Sequence, residues 1–500
     1  MAARSPSARR APFPVGEVAP CLHPHHRPAP AGRGGAAVCP DSLNLPVPSK
    51  APRPRRGLPT GPRRETFTVD LKTVTPILGG APVPRQLSEV DSIRVPTLRG
   101  HLRFWWRALY GHAYGEHQRL ELARRERELW GGMTLGEEKP CRSQVDLCVR
   151  AVTVSAQDPD DISLGEEQSY ALWPARAPKN GEAAPRWKPG LRFTLEVSAP
   201  EGELSDEVRH ALRAWVLFGG YGSRPRRGCG TVTFATEEQC RQWLPKNATR
   251  AELRRLFGDV PLFQPELAGA PRDLPLLRGA RLLRGPRDES TVDGSKAWLE
   301  ALGWLRAFRQ GTAGIQGARA RNPSPTGDNR AGRSNWPEAD KIRHHARTYP
   351  EEHAPRPAYS RTPAWPRAGF GLPIVVHFQQ GKRDSKDNHV PAEPKHMQLQ
   401  WVRDREREPK DRLASPLIVK AMPLANGRFE PIALWLERGY PEGGKVLLVQ
   451  SNRPLEATRA DFDVLRAEDD QPLFTPLREA TSLREAFFNW LRDTKKAREA

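Results

Sequence analysis

The stretch Phe218-Gly-Gly-Tyr-Gly-Ser-Arg-Pro-Arg-Arg-Gly-Cys-Gly-Thr-Val-Thr-Phe234 gathers residue types suited to holding an anion. It carries Gly219, Gly220, Gly222, Gly228 and Gly230, with Ser223, Arg224, Arg226 and Arg227 between them and no acid. Glycine permits positive φ and close approach of another chain. Successive N–H groups of such a loop can form an anion-binding nest. Arginine adds a planar fork matched to phosphate oxygens. The chemistry expected of the loop is therefore binding to a phosphate backbone.

A second group lies upstream, in Val95-Pro-Thr-Leu-Arg-Gly-His-Leu-Arg-Phe-Trp-Trp-Arg-Ala-Leu-Tyr110. Leu98, Leu102, Trp105 and Leu109 recur at helical spacing and should face a core. Thr97 is the expected N-cap. Arg99, Arg103 and Arg107 repeat every four residues and make a basic stripe, which Arg94 extends. The plainer reading of such a stripe is a solvated helix face, against which stands the lack of any acid in residues 92–107. Trp105 and Trp106 are expected to pack in the core. His101 on the same helix is the candidate for general acid–base work, against the plainer reading of a polar residue near a helix start.

The remaining metal or acid signals are weak. Cys21-Leu-His-Pro-His25-His26 with Cys39 matches no usual zinc spacing. Asp158-Pro-Asp160-Asp161 reads as a turn. The six cysteines form no C-x-x-C pair, which argues against both a disulfide framework and a zinc ribbon. No metal or other cofactor is expected. The net charge of +20 calls for a polyanionic partner. No apolar run approaches the roughly 20 residues of a membrane helix, and no apolar core follows Arg9-Arg10. A reducing cytoplasm is the expected location.

Around these groups the elements fall in order. Residues 1–64 hold 14 of the 51 prolines and read as a disordered tail. From Glu65 to 258 the pattern is strand, helix, strands, helix, strand. Its members are a strand over Thr66–Leu71, the arginine helix, a mixed-charge helix over Glu116–Trp130 with an exposed face, strands over Gln144–Val154 and Leu191–Val197, a helix capped by Ser205 or Asp206 and running to Phe218, and a strand over Thr231–Phe234. This suits an α+β, ferredoxin-like domain, whose sheet is a common RNA platform. Residues 259–500 repeat the plan. A strand over Ala280–Leu283 and a helix over Asp293–Phe308 precede a long basic loop from Gly311, and a short helix starts at Pro337. Strands follow over Phe370–Phe378, Asp411–Lys420, Phe429–Leu436 and Lys445–Gln450, and a helix over Ser482–Asp493 closes the chain.

Three stretches together resemble the RAMP superfamily, and within it the family of the first-numbered subunit of the Cmr module, the type III-B CRISPR RNA-guided effector complex. They are Thr75-Pro-Ile-Leu-Gly-Gly80 with Ile93–Leu109; the loop Phe218–Gly230; and Arg333-Ser-Asn-Trp-Pro-Glu-Ala-Asp-Lys-Ile-Arg343 with Phe370-Gly-Leu-Pro-Ile374 and Asp411-Arg-Leu-Ala-Ser-Pro-Leu417. Pro225 and Cys229 depart from the family's loop pattern. The resemblance implies two tandem ferredoxin-like, RNA-recognition-motif-like domains. It implies a non-catalytic, architectural role in antiviral defence at the head of the complex, toward the 3′ side of the guide RNA. The implied partners are guide RNA, target RNA and neighbouring Cmr subunits. It also implies that the glycine-rich loop and Arg94, Arg99, Arg103 and Arg107 lie along RNA, with Arg333, Arg343 and Arg412 as the second domain's share. The alternatives are a metal-independent endoribonuclease using His101, and an assembly subunit with little RNA contact.

Overall fold

The computed structural model describes residues 63–500 except 82, 84, 89–91, 163–166, 179, 266–272, 287–289, 311–335, 350–353, 356–364, 379–392, 403–411, 441–444, 451–452, 460–479 and 481. All described residues belong to one unit, Gly61–Ala500. Residues 1–62 of the proline-rich tail, with the Cys21–Cys39 group, and Arg333 lie outside the described residues, while Arg64 already belongs to the first strand.

In chain order the elements begin with β1 (Arg64–Thr73), β2 (Ile77–Leu78), α1 (Val95–Tyr110), α2 (Arg119–Trp130), β3 (Asp146–Thr153), β4 (Gln157–Asp158) and α3 (Ser169–Leu172). Next come β5 (Arg186–Trp187), β6 (Arg192–Pro200), α4 (Glu203–Phe218), β7 (Val232–Phe234), α5 (Glu237–Trp243) and α6 (Arg250–Phe257). The second half holds β8 (Leu276–Arg284), α7 (Gly294–Gln310), α8 (Pro337–Ala346), β9 (Ile374–Val376), β10 (Met397–Val402), β11 (Leu417–Pro423) and β12 (Phe429–Glu437). It ends with β13 (Lys445–Gln450), β14 (Arg453–Arg459), α9 (Leu483–Lys495) and β15 (Arg498–Glu499).

The architecture is α+β with antiparallel sheets. One sheet runs β3-β6-β1-β7 and another β11-β12-β8-β15. In both, the first strand of the unit lies between the fourth and the third, and the second is at the edge. Helices α1 and α4 connect the first set, and α7 and α9 the second. Alternation fixes the register of β1 on β6: Val69 faces Leu195 and Leu71 faces Phe193, all buried on one side. A one-residue slip would turn these side chains to solvent.

The layers follow from which side chains share a core. Apolar residues of β1 and β6 pack on α1 and α4, and the same cluster takes in Leu282, Ile418, Met422 and Ile432 from the second sheet. The other face of that sheet, with Leu417, Val419 and Ala433, packs on α7 and α9. The stack is therefore sheet, helices, sheet, helices. Burying the fully enclosed Trp215 and Phe218 of the inner helix layer is worth about 2–3 kcal/mol each. A smaller cluster around Ile342, Met397, Leu399 and Leu448 supports a third sheet, β14-β13-β10-β9. A three-stranded sheet β2-β5-β4 completes the set.

Several local expectations are corrected. Helix α1 begins at Val95 with Pro96 in its first turn, so Arg94 and not Thr97 occupies the N-cap position. Helix α4 begins after Gly202, and Ser205 inside it donates to Glu65 (2.7 Å) instead of capping. The 116–130 segment is a short 3₁₀ turn followed by α2, whose exposed face carries Glu121, Arg124 and Glu128 as expected, while its other face buries Leu122, Glu126, Leu129 and Trp130. Only Ile374–Val376 of the expected 370–378 strand is a strand, because Phe370 ends a 3₁₀ turn. Ser482 does cap α9, accepting from Glu485 N–H (3.1 Å).

Candidate nucleic-acid interface

The glycine-rich loop leaves α4 and is sewn to the Thr75–Leu78 segment. Gly230 N–H donates to Pro76 O, Ser223 N–H to Leu78 O and Tyr221 N–H to Gly230 O, each at 2.8 Å. Thr75 Oγ1 donates to Gly228 O (2.6 Å) and accepts from Thr231 N–H (2.9 Å). This is why the two motifs occur together: one closes the other. Gly230 sits at φ +63°, and a Cβ there would lie 1.8 Å from Tyr221 O. Pro225 opens the 3₁₀ turn Pro225–Arg227, a position where its missing N–H removes no bond of the turn.

The loop is thus not an open nest. The N–H groups of Gly219, Tyr221, Ser223, Arg227, Gly228 and Gly230 all donate to carbonyls of this chain. Its arginines divide. Arg227 is buried, donates to Leu417 O (3.2 Å), and is pushed by burial down to about 9. Its carbonyl accepts from Trp298 Nε1 (2.7 Å). Arg224 donates to Ala171 O (3.0 Å). Arg226 donates to Ser415 O. Two of the three, Arg226 and Arg227, therefore also bind the two halves of the chain to each other. Ser223 is exposed, while Gly219, Gly220, Gly228 and Gly230 are buried.

The basic stripe is partly neutralised. Glu126 of α2, 6% exposed, accepts from Arg103 (2.7 Å) and from Arg107 (2.8 and 3.0 Å). The acid missing from residues 92–107 arrives from the next helix. Arg99 donates to Ser143 Oγ (2.5 Å) and Val145 O (2.9 Å). Arg94 is half-buried, its N–H donating to Tyr221 Oη (2.8 Å). Arg343 is buried and paired with Asp340 (3.0 Å) and Glu393 (2.8 Å), so it is a core ion pair. Arg412 is exposed.

The sheets do not offer a stacking platform. The open face of the first sheet carries Thr66, Thr68, Asp70, Thr194, Glu196, Cys148 and Arg150, with no aromatic on it among the described strands. Base stacking on such a sheet needs aromatic rings. The corresponding face of the second sheet is covered by α1 and α4.

What the fold does bring together is a cleft of about 440 Å³ where α1, α2, the loop and the end of β12 meet. Four arginines line it, Arg107, Arg119, Arg226 and Arg438, against two acids, Glu126 and Asp273. The acids are engaged: Glu126 by Arg103 and Arg107, and Asp273 by Arg119 (3.0 Å). Among the described residues Arg226 and Arg438 have no ion-pair partner. They are held by adjacent carbonyls, Arg226 on Ser415 O and Arg438 on Ala414 O (3.4 Å). Burial, and then the Arg438 charge, push the Arg226 guanidinium down to about 10. Burial lowers Arg438 as well, partly offset by Asp273. Phe104, Leu122, Leu274 and Pro275 form an apolar wall, with the Arg226 guanidinium 5.9 Å over the Phe104 ring. Two groups far apart in sequence, the stripe and the loop, thereby meet through Arg107 and Arg226.

Lys420 lies behind the loop. It is fully buried on β11 and donates to Val216 O (2.9 Å) and Gly219 O (2.7 Å), at the C-terminal end of α4. Burial pushes its ammonium well below the ordinary lysine range, while the negative end of the helix favours a cation there. His101 packs between Trp215 and Tyr221 (6.1 and 6.0 Å between ring centres), and burial lowers it to about 4. It is neutral at pH 7 and faces protein rings. Arg438, Phe104 and Lys420 were not singled out by sequence, since each sits in an ordinary strand or helix pattern. Asp161 accepts from the N–H groups of Ile162 (2.8 Å) and Ala177 (2.9 Å), and Asp158 from Asp160 N–H (3.3 Å), as a turn requires. Among the described residues no three His, Cys, Asp or Glu gather in a metal-holding group. Among them, too, no helix is long and apolar enough to cross a membrane.

Residues 70–233, which contain both sequence groups, match the family model of the RAMP superfamily. This segment is similar to RAMP-superfamily domains. A curated relative, the CRISPR system Cmr subunit Cmr1-1 of Pyrococcus furiosus, is 26% identical over 149 residues, 29% of this chain and 41% of the relative. The match thus spans about two-fifths of that relative's length. Among solved structures, the apo crystal structure of Cmr1 from Pyrococcus furiosus aligns at 16% identity and TM-score 0.38, covering 80% of this chain and 94% of that one. A chain of the cryo-EM structure of the type III-B Cmr-beta bound to cognate target RNA aligns at 11% identity and TM-score 0.33, covering 74% and 94%.

Proposed function

We propose that this chain is a non-catalytic RNA-binding subunit of a type III-B, Cmr-type CRISPR effector complex. It contacts guide RNA on its 3′ side, target RNA, or both, beside neighbouring Cmr subunits in the cytoplasm. The RAMP match and the relative named as a Cmr subunit support this reading. So does the twice-repeated strand order, which fits tandem ferredoxin-like RAMP domains over 65–258 and 259–500. The observation that carries it is the convergence of the arginine helix and the glycine-rich loop on one cleft in which Arg226 and Arg438 lack acid partners among the described residues. A non-catalytic role is favoured because His101 is enclosed and neutral.

In this reading Arg94, Arg103, Arg107, Arg226, Arg412 and Arg438 face the strand. The loop glycines, Ser223, Arg224 and Arg227 shape the wall behind them. The test is the salt dependence of single-stranded RNA binding. Arg226→Gln with Arg438→Gln flattens the log–log slope by about 0.7 for each phosphate that is no longer neutralised. Unchanged affinity and slope in a variant with a wild-type melting curve contradict the assignment. Weak, salt-insensitive binding by the wild type points instead to an assembly subunit.

A further inference from the structure

We propose that His377 and His396 form a two-histidine site for a divalent transition-metal ion of the zinc and copper class, on the outer face of the third sheet. The site is separate from the cleft and does not rest on the RNA-binding reading.

Strand register sets the pair. β9 runs antiparallel to β10, with Ile374 opposite Leu399, Val375 opposite Gln398 and Val376 opposite Met397. One step further, the same register puts His377 opposite His396. Directly opposed residues hold their Cβ atoms about 4.5–5.5 Å apart. Alternation sets the face. Ile374, Met397 and Leu399 are buried in the small third core, and Val376 and Phe378 pack against it. His377 and His396 therefore point the other way, and both are exposed. Their rings stack, with centres 5.2 Å apart and planes 29° from parallel.

The donor type selects the ion. A neutral imidazole offers one nitrogen lone pair. Zinc holds such nitrogens at about 2.0–2.1 Å, which brings two of them to roughly 3.3 Å from each other around a tetrahedral ion. Modest rotation of two exposed, opposed rings reaches that spacing. Imidazole suits zinc, copper and nickel, whereas magnesium and calcium prefer oxygen. Burial, and then the charge of His396, holds His377 below the usual imidazole range, which favours the metal-binding form at pH 7. Water completes the coordination, since the pair faces solvent. Gln398 Oε1 accepts from Gln400 Nε2 (2.8 Å) on the same side of β10, so this face is polar. The ladder of β9 is three pairs long and lies at the sheet's edge, and an ion across His377 and His396 extends it by a fourth cross-link.

The experiment strips the full chain with EDTA, dialyses it, and titrates it with zinc chloride, read by calorimetry and thermal shift. The expected result is a one-to-one zinc component that raises the melting temperature and that excess magnesium does not displace. His377→Gln and His396→Gln each weaken this component at least tenfold and remove the thermal shift, with metal-free melting curves like the wild type's. His117→Gln, an exposed histidine outside the pair, changes neither. Zinc affinity kept in both pair variants overturns the site, and its loss on changing His23, His25 and His26 to Gln instead would place the metal on the tail. Weakening in only one pair variant overturns the shared site, as does displacement by magnesium or the absence of zinc binding.

Discussion

At the scale of single residues, a group's partners matter more than its type. Arg103 and Arg438 are both half-exposed arginines near the cleft, but Arg103 shares Glu126 with Arg107 while Arg438 has no acid partner among the described residues. Arg438→Gln should therefore cost more RNA affinity than Arg103→Gln, and filter binding at two salt concentrations decides it. Removing the shared acid has another consequence. Glu126→Gln leaves two guanidinium groups against a buried amide, and should destabilise the fold by about 2–4 kcal/mol in urea unfolding.

Histidines give a pH signature. His101 and His210 are both lowered by burial to about 4, and His210 Nδ1 is bonded to Tyr110 Oη (2.8 Å). In the unfolded chain both protonate near 6.5. Between about pH 6.5 and 4 the unfolded state binds more protons, so stability falls as pH falls through that window, by at most about 3 kcal/mol per histidine. Chemical denaturation at pH 7 and pH 4.5 should show this loss, and His101→Gln with His210→Gln should flatten it.

At the scale of elements, the loop is held in shape from behind. Lys420 on β11 ties the end of α4 and Gly219 to the second sheet, so Lys420→Met leaves two buried carbonyls without their donor. A loss of about 1–3 kcal/mol in urea unfolding is expected. Gly230→Ala places a Cβ against Tyr221 O at positive φ and should cost about 2–5 kcal/mol. Much of this scale could be read in advance. The apolar spacing of Leu98, Leu102 and Trp105 placed α1 and its buried face. Alternation in Thr66–Leu71 placed β1. What could not be read was packing across distance. Glu126 lies 19 residues beyond Arg107 on another helix, and a helical stripe looks acid-free until that helix packs. The loop's glycines and arginines looked equally suited to phosphate and to protein carbonyls, and only the arrival of β11 and α7 decides between them for Arg227.

At the scale of the whole molecule, the layered stack sets where a nucleic acid can go. The inner sheet is covered on both faces and the outer sheet is polar without aromatics, so the sheets are poor platforms. The cleft at the margin of the stack, built by both halves of the chain, is what remains with arginines that have no ion-pair partner among the described residues. The alternation of strands and helices along each half showed in the sequence. Their stacking did not, because burial of β11 on both faces reads in sequence only as a continuous apolar run. The most direct measurement is affinity purification of the tagged chain from its native host, with sequencing of bound RNA, beside the Arg226→Gln and Arg438→Gln double variant. Co-purification of CRISPR guide RNA with other Cmr subunits, and weaker RNA crosslinking to the variant, is the predicted result. Recovery of the chain alone, or of unrelated RNA unaffected by the substitutions, would contradict it.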